Sequence, residues 1–330
     1  MNLSTEERFS YHSTGSHGEN ITLAVFYTTV FLLSVPANAM ALWVFCHPKN
    51  GTSVARVFLT HLAMADMCYV LLLPMRVVYH ASAGDWILGE VACRLSGFLF
   101  YLNLYCSLYF MTSISFDRFL AVVFPIRSRS WRKTAYAKVV CAILWVMVTV
   151  SMAPVLFSKK RKTMPLQLGR HNVTVCQQLY LDSTSLTALI STAVAFTVPL
   201  VVLSLSYILI LFKLKSTKQQ NQSPVHVKAK RMVVLTLVNF LVAFLPYHIH
   251  RFVYIVRYSQ QNLSEAEVIS LTLGNRVTSA LTCVNGVIDP LMYFFLTETY
   301  QRTLLKLLKR NESARTDQYS NPGVDMSSAF

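Results

Sequence analysis

Seven long apolar segments run along the chain, and short polar links separate them. A helix that crosses the hydrocarbon core of a bilayer needs about 20 mainly apolar residues. Four segments of this length contain no Asp, Glu, Lys or Arg: residues 21–46, 95–115, 139–157 and 183–212. Three more contain ionisable residues within the apolar run: residues 57–80, 232–254 and 268–296. The pattern predicts an all-α membrane protein, built as a bundle of seven transmembrane helices.

The composition agrees with a membrane protein, because 54% of the residues are hydrophobic and 14% are charged. Soluble domains carry about 25% charged residues, so soluble globular proteins, disordered proteins and coiled coils are poor interpretations. The net charge of +15 would also suit a nucleic-acid-binding protein. However, about 19 of the 30 Lys and Arg residues fall on the inner side when the N-terminus is placed outside, as the positive-inside rule requires. The basic excess therefore reflects membrane topology, and no nucleic-acid partner is expected.

Glycosylation sequons give a second test of this orientation. Sequons at Asn2, Asn20, Asn172 and Asn262 fall on the outer side of a seven-span chain, whereas one at Asn50 falls on the inner side in a tight loop and should be unused. The sequence thus predicts a glycosylated extracellular tail over residues 1–20, a seven-helix domain over residues 21–297 and a plasma-membrane location. Leucines interleaved with Lys and Arg over residues 298–310 predict a short amphipathic eighth helix on anionic lipid. A cytoplasmic tail over residues 311–330 would follow.

Ionisable residues within the spans are the candidates for function. Asp66 and Asp289 are carboxylates at membrane depth, and such groups are costly unless a cation or a proton compensates them.

Three arginines lie one to three turns from the outer ends of their spans: Arg76, Arg251 and Arg276. Aromatic and imidazole side chains are predicted at a similar depth: Tyr79, Tyr101, Tyr105, Tyr247 and His248. Arginine suits bidentate binding of phosphate or carboxylate, and aromatic rings stack on a base or an alkenyl chain. We therefore expect a cationic, aromatic-walled ligand pocket without a matching acid. For any one residue, a snorkelling arginine or a packed core tyrosine is an equally good interpretation.

Motifs inside the spans resemble those of the rhodopsin-like G-protein-coupled receptors. They are Asn38 in span one, Leu62-Ala63-Met64-Ala65-Asp66 in span two, Asp117-Arg118-Phe119 at the end of span three, Trp145 in span four, Pro199 with Tyr207 in span five, Phe244-Leu245-Pro246-Tyr247 in span six and Asp289-Pro290-Leu291-Met292-Tyr293 in span seven. Further segments are similar to the purinergic and cysteinyl-leukotriene branch: residues 73–76, 84–90, 98–107, 246–251 and 274–279. The resemblance covers residues 21–310 and implies a signalling receptor, not an enzyme.

The resemblance implies a disulfide between Cys93 and Cys176, which both face the oxidising outer side. It also implies a sodium pocket with oxygen ligands, formed by Asn38, Asp66, Asn103, Ser107, Asn285 and Asp289. A protonated, hydrogen-bonded polar cluster without an ion is the alternative. No other cofactor is expected.

Activation roles are implied for residues of the inner half. Arg118 is expected to pair with Asp117 at rest and to turn to a G protein on activation, although a snorkelling arginine is the alternative from sequence alone. Because residues 213–231 contain no acid to hold Arg118, appreciable basal signalling is expected.

Pro199, Pro246 and Pro290 each remove a helix hydrogen bond, so hinges are expected in spans five, six and seven. Phe244 resembles the toggle aromatic of the family. Tyr207 and Tyr293 are expected to meet near Arg118 in the active state.

The expected ligand is an extracellular anionic small molecule of nucleotide, nucleotide-sugar or leukotriene type, with a lysophospholipid or other lipid mediator as the alternative. The resemblance implies a heterotrimeric G protein of the Gi/o type as partner. Hydroxyl residues in the tail favour receptor kinases and arrestin, and Ser328-Ala329-Phe330 has the form of a PDZ ligand. A transporter is the alternative from another class, but it would usually show an internal repeat. An intramembrane enzyme would need a nucleophile with a base or a metal cluster, and no such motif accompanies the histidines.

Overall fold

The computed structural model describes residues 8–9, 12, 14–47, 52–158, 162–168, 171–180, 184–216, 224–260, 262–297 and 300–306. Its helices are α1 His17–Cys46, α2 Val54–Val70, α3 Leu73–Ala81, α4 Gly89–Val123, α5 Thr134–Phe157, α6 Gln177–Tyr180, α7 Leu186–Ser216, α8 Pro224–Asn239, α9 Leu245–Tyr258, α10 Glu265–Thr282, α11 Asn285–Leu296 and α12 Tyr300–Lys306. A 3-10 helix at Arg127–Ser130, a π-helix at Phe240–Phe244 and two strands, β1 Thr163–Leu168 and β2 His171–Cys176, complete the described elements.

Six helical segments are long and apolar enough to cross a membrane alone. They are His17–Cys46, Val54–Ala81, Gly89–Val123, Thr134–Phe157, Leu186–Lys213 and Val233–Tyr258, which we call spans one to six. Span seven, Glu265–Phe295, meets the same test together with Tyr300–Lys306, which turns away from it by 99°. This arrangement agrees with the predicted seven-helix bundle. Span three contacts spans two, four and five and lies at the centre of the core.

The helix ends differ from the predicted boundaries for local reasons. α1 begins at His17, not at residue 21, because Ser16 and Glu19 form a capping box: Glu19 N donates to Ser16 Oγ at 3.3 Å and Ser16 N to Glu19 Oε2 at 3.0 Å. α4 is also longer than the apolar run that predicted it, since a helix can continue past the hydrocarbon core into the polar interfaces. α12 lies within the predicted eighth helix. Residues 307–310 of that helix and the tail at 311–330 are outside the described residues.

Spans two, six and seven are broken near prolines. Pro74 stands in the first turn of α3, and Pro246 in the first turn of α9, directly after the π-helix. Pro290 lies inside α11, which follows a two-residue break in span seven. Proline lacks the N–H that would continue the ladder, which accounts for the irregular turns directly before Pro74 and Pro246. By contrast, α7 continues through Pro199.

Candidate ligand site and signalling core

A short β-hairpin covers the outer end of the bundle. β1 and β2 pair antiparallel, with Thr163 opposite Cys176. Cys176 forms a disulfide with Cys93 in the first turns of α4, which confirms the predicted pair. The bridge ties the second strand to span three and holds the following residues over the bundle.

Two carboxylates tie the hairpin to the link between spans two and three. The Glu90 carboxylate accepts hydrogen bonds from the backbone N–H groups of Lys162 at 2.9 Å and Thr163 at 2.8 Å. Asp85 Oδ1 accepts from the backbone N–H of Thr174 at 2.8 Å. Both acids lie in residues 84–90, a segment identified in the sequence only by its family resemblance. The structure shows that they anchor the hairpin.

The one-turn helix α6 carries Tyr180 from the hairpin onto Arg76. The guanidinium carbon of Arg76 lies 5.0 Å from the ring centroid of Phe100, 5.2 Å from that of Tyr180 and 5.5 Å from that of Tyr27. Arg76 Nη1 donates to the Tyr27 hydroxyl at 3.0 Å. The side chain is fully buried, yet its Nε and Nη2 have no hydrogen-bond partner among the described residues. Arg76 is therefore a buried cation with two unused donors.

Arg276 has an acidic partner, contrary to the expectation of a pocket without a matching acid. Its Nη1 donates to Glu19 Oε2 at 2.7 Å, and the arginine side chain is 1% exposed. Gly15 packs closely against this pair. Its φ is +68° and a Cβ there would lie 1.5 Å from Arg276 Nη1, so the position requires glycine. The spacing of Ser16 and Glu19 is the signal that could have placed this acid on the first turn of α1.

Asn20 is the centre of a buried polar network and not a surface sequon. Its Nδ2 donates to the carbonyl of Thr14 at 2.7 Å, and its Oδ1 lies 2.8 Å from both Arg276 Nη2 and His80 Nδ1. The other ring nitrogen of His80 lies 2.7 Å from the Tyr180 hydroxyl. A glycan on Asn20 Nδ2 is incompatible with this burial, so that predicted site is corrected. Asn172 and Asn262 are exposed and stay predictions, while Asn2 lies outside the described residues.

The other predicted ligand residues form an aromatic wall on spans three and six. The rings of Tyr101 and Tyr105 stack with centroids 6.3 Å apart, and Tyr105 meets His248 edge-on at 6.0 Å. Tyr247 packs edge-on against Phe100, the ring that also contacts Arg76, and Arg251 is buried on the same span. Tyr79 lies apart from this wall, because it packs on Trp86 and Tyr180 beneath the hairpin.

A second polar cluster lies deep in the bundle around the Asp66 carboxylate. Its Oδ1 accepts from Asn103 Nδ2 at 3.3 Å, Ser107 Oγ at 3.5 Å and Asn285 Nδ2 at 3.4 Å. The Asp66 and Asp289 carboxyl groups also contact each other, and two charged carboxylates cannot share such a site without a proton or a cation. The structure thus brings together five of the six predicted sodium ligands.

Asn38, the sixth, bonds elsewhere. Its Nδ2 donates to the carbonyls of Ser34 at 3.0 Å and Gly286 at 2.8 Å, so it joins spans one and seven and donates to neither carboxylate.

Asn239 is a member of the cluster that sequence reasoning missed. Its Nδ2 lies 2.6 Å from Asn285 Oδ1 and 2.8 Å from Asp289 Oδ1, and so connects span six to span seven. An asparagine within the apolar run of span six was the available signal in the sequence.

At the inner end of span three, the Asp117 carboxylate pairs with two arginines. Arg132 binds it with both ends of the guanidinium, at 2.7 Å through Nε and 3.1 Å through Nη2. The predicted partner Arg118 lies farther away, with Nη2 at 3.4 Å from Asp117 Oδ2. Arg132 was not predicted, because its contact arises when the link after span three folds back.

The remaining activation residues have separate contacts. Tyr207 shares a hydrogen bond of 2.6 Å with Ser115, and the Tyr293 hydroxyl donates to Asp66 Oδ2 at 3.3 Å. The two tyrosines therefore do not meet near Arg118 in this conformation. Phe244 is buried at the end of the π-helix, directly before the Pro246 break.

Comparison with known proteins finds that the similar proteins are receptors. Residues 37–293 match the sequence profile of the family described as 7 transmembrane receptor (rhodopsin family). The chain is 46% identical over 292 residues to the uracil nucleotide/cysteinyl leukotriene receptor of Mus musculus, covering 88% of this chain and 84% of that receptor. It is 30% identical to cysteinyl leukotriene receptor 1 of Homo sapiens (92% and 90% covered) and 34% identical to proteinase-activated receptor 1 of Cricetulus longicaudatus (92% and 70% covered). With its seven spans, its hairpin disulfide and its deep carboxylate pair, the chain belongs to the rhodopsin family of seven-transmembrane receptors.

Proposed function

We propose that this receptor is activated by an extracellular anion held by Arg76 and Arg251, and that it signals through an inhibitory Gi/o-type G protein. As a member of its family it is a multi-pass plasma-membrane receptor that binds an extracellular ligand and couples to G proteins; it is not an enzyme. Two of its relatives are named for uracil nucleotides and cysteinyl leukotrienes, which carry phosphate or carboxylate groups. The Gi/o assignment rests on family resemblance.

The ligand proposal rests on the unfilled hydrogen-bond donors of the buried Arg76 side chain. A buried charge is costly unless it is paired and hydrogen-bonded, and two of the guanidinium nitrogens of Arg76 have no partner among the described residues. A phosphate or carboxylate would fill these donors in a bidentate pair. Tyr27, Phe100 and Tyr180 surround the guanidinium, and their rings suit a flat base or an alkenyl chain next to the anion. Because Tyr180 covers Arg76, binding requires the hairpin end to move.

A second candidate is signalling without any ligand. The Tyr180 ring already lies over Arg76, and the Glu19 carboxylate already neutralises Arg276, so groups of the chain itself occupy two of the predicted ligand contacts. Such internal contacts would favour basal activity if they resemble those that an agonist makes.

The test measures G-protein activation in membranes of cells that express the receptor, with and without pertussis toxin. The panel contains a uracil nucleotide, a nucleotide sugar, a cysteinyl leukotriene and a lysophospholipid. Arg76→Gln and Arg251→Gln are compared with Arg257→Gln, which removes an exposed arginine from α9, the helix that also carries Arg251. We expect one anion to give a toxin-sensitive response, with its potency lowered at least about tenfold in the two buried variants and unchanged in the control.

A different result would contradict each proposal. An anion response that resists the toxin contradicts Gi/o coupling, and equal potency in all three variants contradicts the arginine site. Strong basal signalling that falls in Tyr180→Ala and Glu19→Gln, with no response to the panel, would support the second candidate instead.

For the deep cluster we propose an allosteric sodium ion. The oxygens fit a hard cation: Asp289 Oδ2 is buried without a hydrogen-bond partner among the described residues, and the Asp66 and Asp289 carboxyls are in contact. Asp66, Asp289, Ser107, Asn103 and Asn285 are the residues that would hold it. Bound there, the cation would neutralise the carboxylates and favour the resting packing of spans two, three and seven.

A further inference from the structure

A crevice opens beside the inner end of span three, away from both the ligand site and the sodium site. Its cavity volume is about 270 Å³, and it is lined by residues of spans two to five and by the link before α5. Its walls are apolar, as shown by Phe58, Phe116 and Val140. Trp131, Arg132 and Lys133 line the part that the link contributes.

The charge of this crevice is positive. Asp117 is the acid among the described lining residues, and Arg118 and Arg132 both contact it. Lys133 adds a further cation on the lining, and the neighbouring 3-10 helix carries Arg127 and Arg129, both exposed. An occupant with an anionic group would therefore find an excess of positive charge.

The exposed side chains are arranged as at a membrane interface. Trp131 is 60% exposed and Tyr136 is 56% exposed, and Lys133 Nζ lies 5.9 Å from the centroid of the Tyr136 ring. Trp, Tyr and Lys are the residues that settle at the level of lipid headgroups. Phe116 and Val140, 45% and 39% exposed, continue the surface with apolar side chains that suit an acyl chain.

We propose that this crevice binds one anionic phospholipid of the inner leaflet. The headgroup lies at Lys133 and Trp131, and an acyl chain lies against Phe116 and Val140. A lipid fits better than a protein segment because the apolar wall belongs to membrane-spanning helices, where a polypeptide backbone would lose its hydrogen bonds. The site is independent of the ligand and of the G-protein type, so its test does not depend on either proposal above.

The experiment uses the fluorescence of Trp131, one of four tryptophans in the chain. The full-length receptor is placed in nanodiscs whose lipid is phosphatidylcholine with a rising fraction of phosphatidylserine that carries brominated acyl chains, which quench nearby tryptophan. The same series with brominated phosphatidylcholine measures non-selective contact. The signal that is lost in Trp131→Phe is assigned to Trp131.

We expect Trp131 to be half-quenched at a lower fraction of brominated phosphatidylserine than of brominated phosphatidylcholine. Lys133→Ala should raise that fraction about fivefold, the effect of one cation near a membrane surface. Lys138→Ala, which removes an exposed lysine of α5 outside the crevice, should leave it unchanged. Val140→Phe should reduce quenching by filling the crevice, whereas Val139→Phe, on the adjacent exposed position, should not.

Equal quenching by the two lipids, or equal effects of Lys133→Ala and Lys138→Ala, would overturn the proposal. Soluble glycerophosphoserine separates a lipid from its headgroup. Because the bromine is on the acyl chains, quenching that persists in millimolar glycerophosphoserine supports a site for the whole phospholipid, whereas quenching that the buffer anion phosphate relieves equally well would overturn recognition of a lipid. Preserved helix content in each variant ensures that a lost signal reflects the crevice and not misfolding.

Discussion

At the scale of single residues, Arg76 and Arg276 show two ways of burying a cation. Both side chains are almost fully buried, but Arg276 pairs with the Glu19 carboxylate at 2.7 Å, whereas Arg76 has aromatic rings and one hydroxyl. Aromatic faces attract a cation, yet they do not replace the hydrogen bonds that a carboxylate or phosphate provides. Arg76 is therefore the residue at which an external anion would change the energy most.

The Asp66 carboxylate leads to a prediction for the sodium proposal. In membranes with the receptor and its G protein, replacing potassium with sodium at equal ionic strength should lower basal nucleotide exchange several-fold, because the ion favours the resting state. Asp66→Asn removes the charge but keeps the size of the side chain, and it should abolish the difference between the two salts. A variant that still responds to sodium would place the ion away from Asp66, and a wild-type receptor that responds equally to both cations would favour a proton as the compensating charge.

At the scale of elements, spans six and seven depart from regular α-helix, and side-chain hydrogen bonds join the two spans near these irregular turns. Asn239 makes these bonds, since its amide lies next to the π-helix and reaches Asn285 and Asp289 on α11. The bond joins two spans at their breaks. A change in one break can therefore reach the other without any movement of the outer loops.

Asn239→Leu tests this connection. The substitution leaves two buried acceptors on span seven without their donor, which should destabilise the receptor by about 1–3 kcal/mol. Thermal unfolding in detergent measures the loss. Val238→Leu, on the adjacent residue that is 44% exposed, is the matched control and should leave the unfolding temperature unchanged. If both variants unfold like the wild type, the amide does not connect the spans.

At the scale of the whole molecule, the described part of the N-terminal tail packs across the outer ends of spans six and seven. Phe9 is 1% exposed and meets Tyr254 edge-on at 5.5 Å, while Arg8 donates to the carbonyl of Leu263 at 3.1 Å. His12 lies 3.8 Å from Glu265 at the start of α10. The tail, the hairpin and the ends of the spans thus form one outer layer above Arg76.

This layer should loosen in acid. Burial lowers the pKa of His12 from 6.5; Glu265 opposes the shift and Arg8 adds to it. A histidine with a lowered folded-state pKa favours the neutral form, so its contribution is present above the unfolded value of 6.5 and is lost as the pH falls below it. Hydrogen exchange in the tail, corrected for the intrinsic rate, should be faster at pH 5.5 than at pH 7.5. In His12→Gln this difference should disappear; an unchanged difference would assign the pH response to another group.

The sequence alone predicts the spans, because a membrane helix satisfies its backbone within itself and its length is set by the bilayer. It also predicts that Asp66 and Asp289 need compensation, and the resemblance predicts the bridge from Cys93 to Cys176. The tertiary structure decides which side chains meet across the bundle. Glu19 and Arg276, 257 residues apart, depend on how the first turn of α1 packs against span seven, and no local pattern encodes that packing. The burial of Asn20, the position of Tyr180 over Arg76, and the contacts of Asn239 and Arg132 are decided in the same way, since each joins elements that come together when the helices pack.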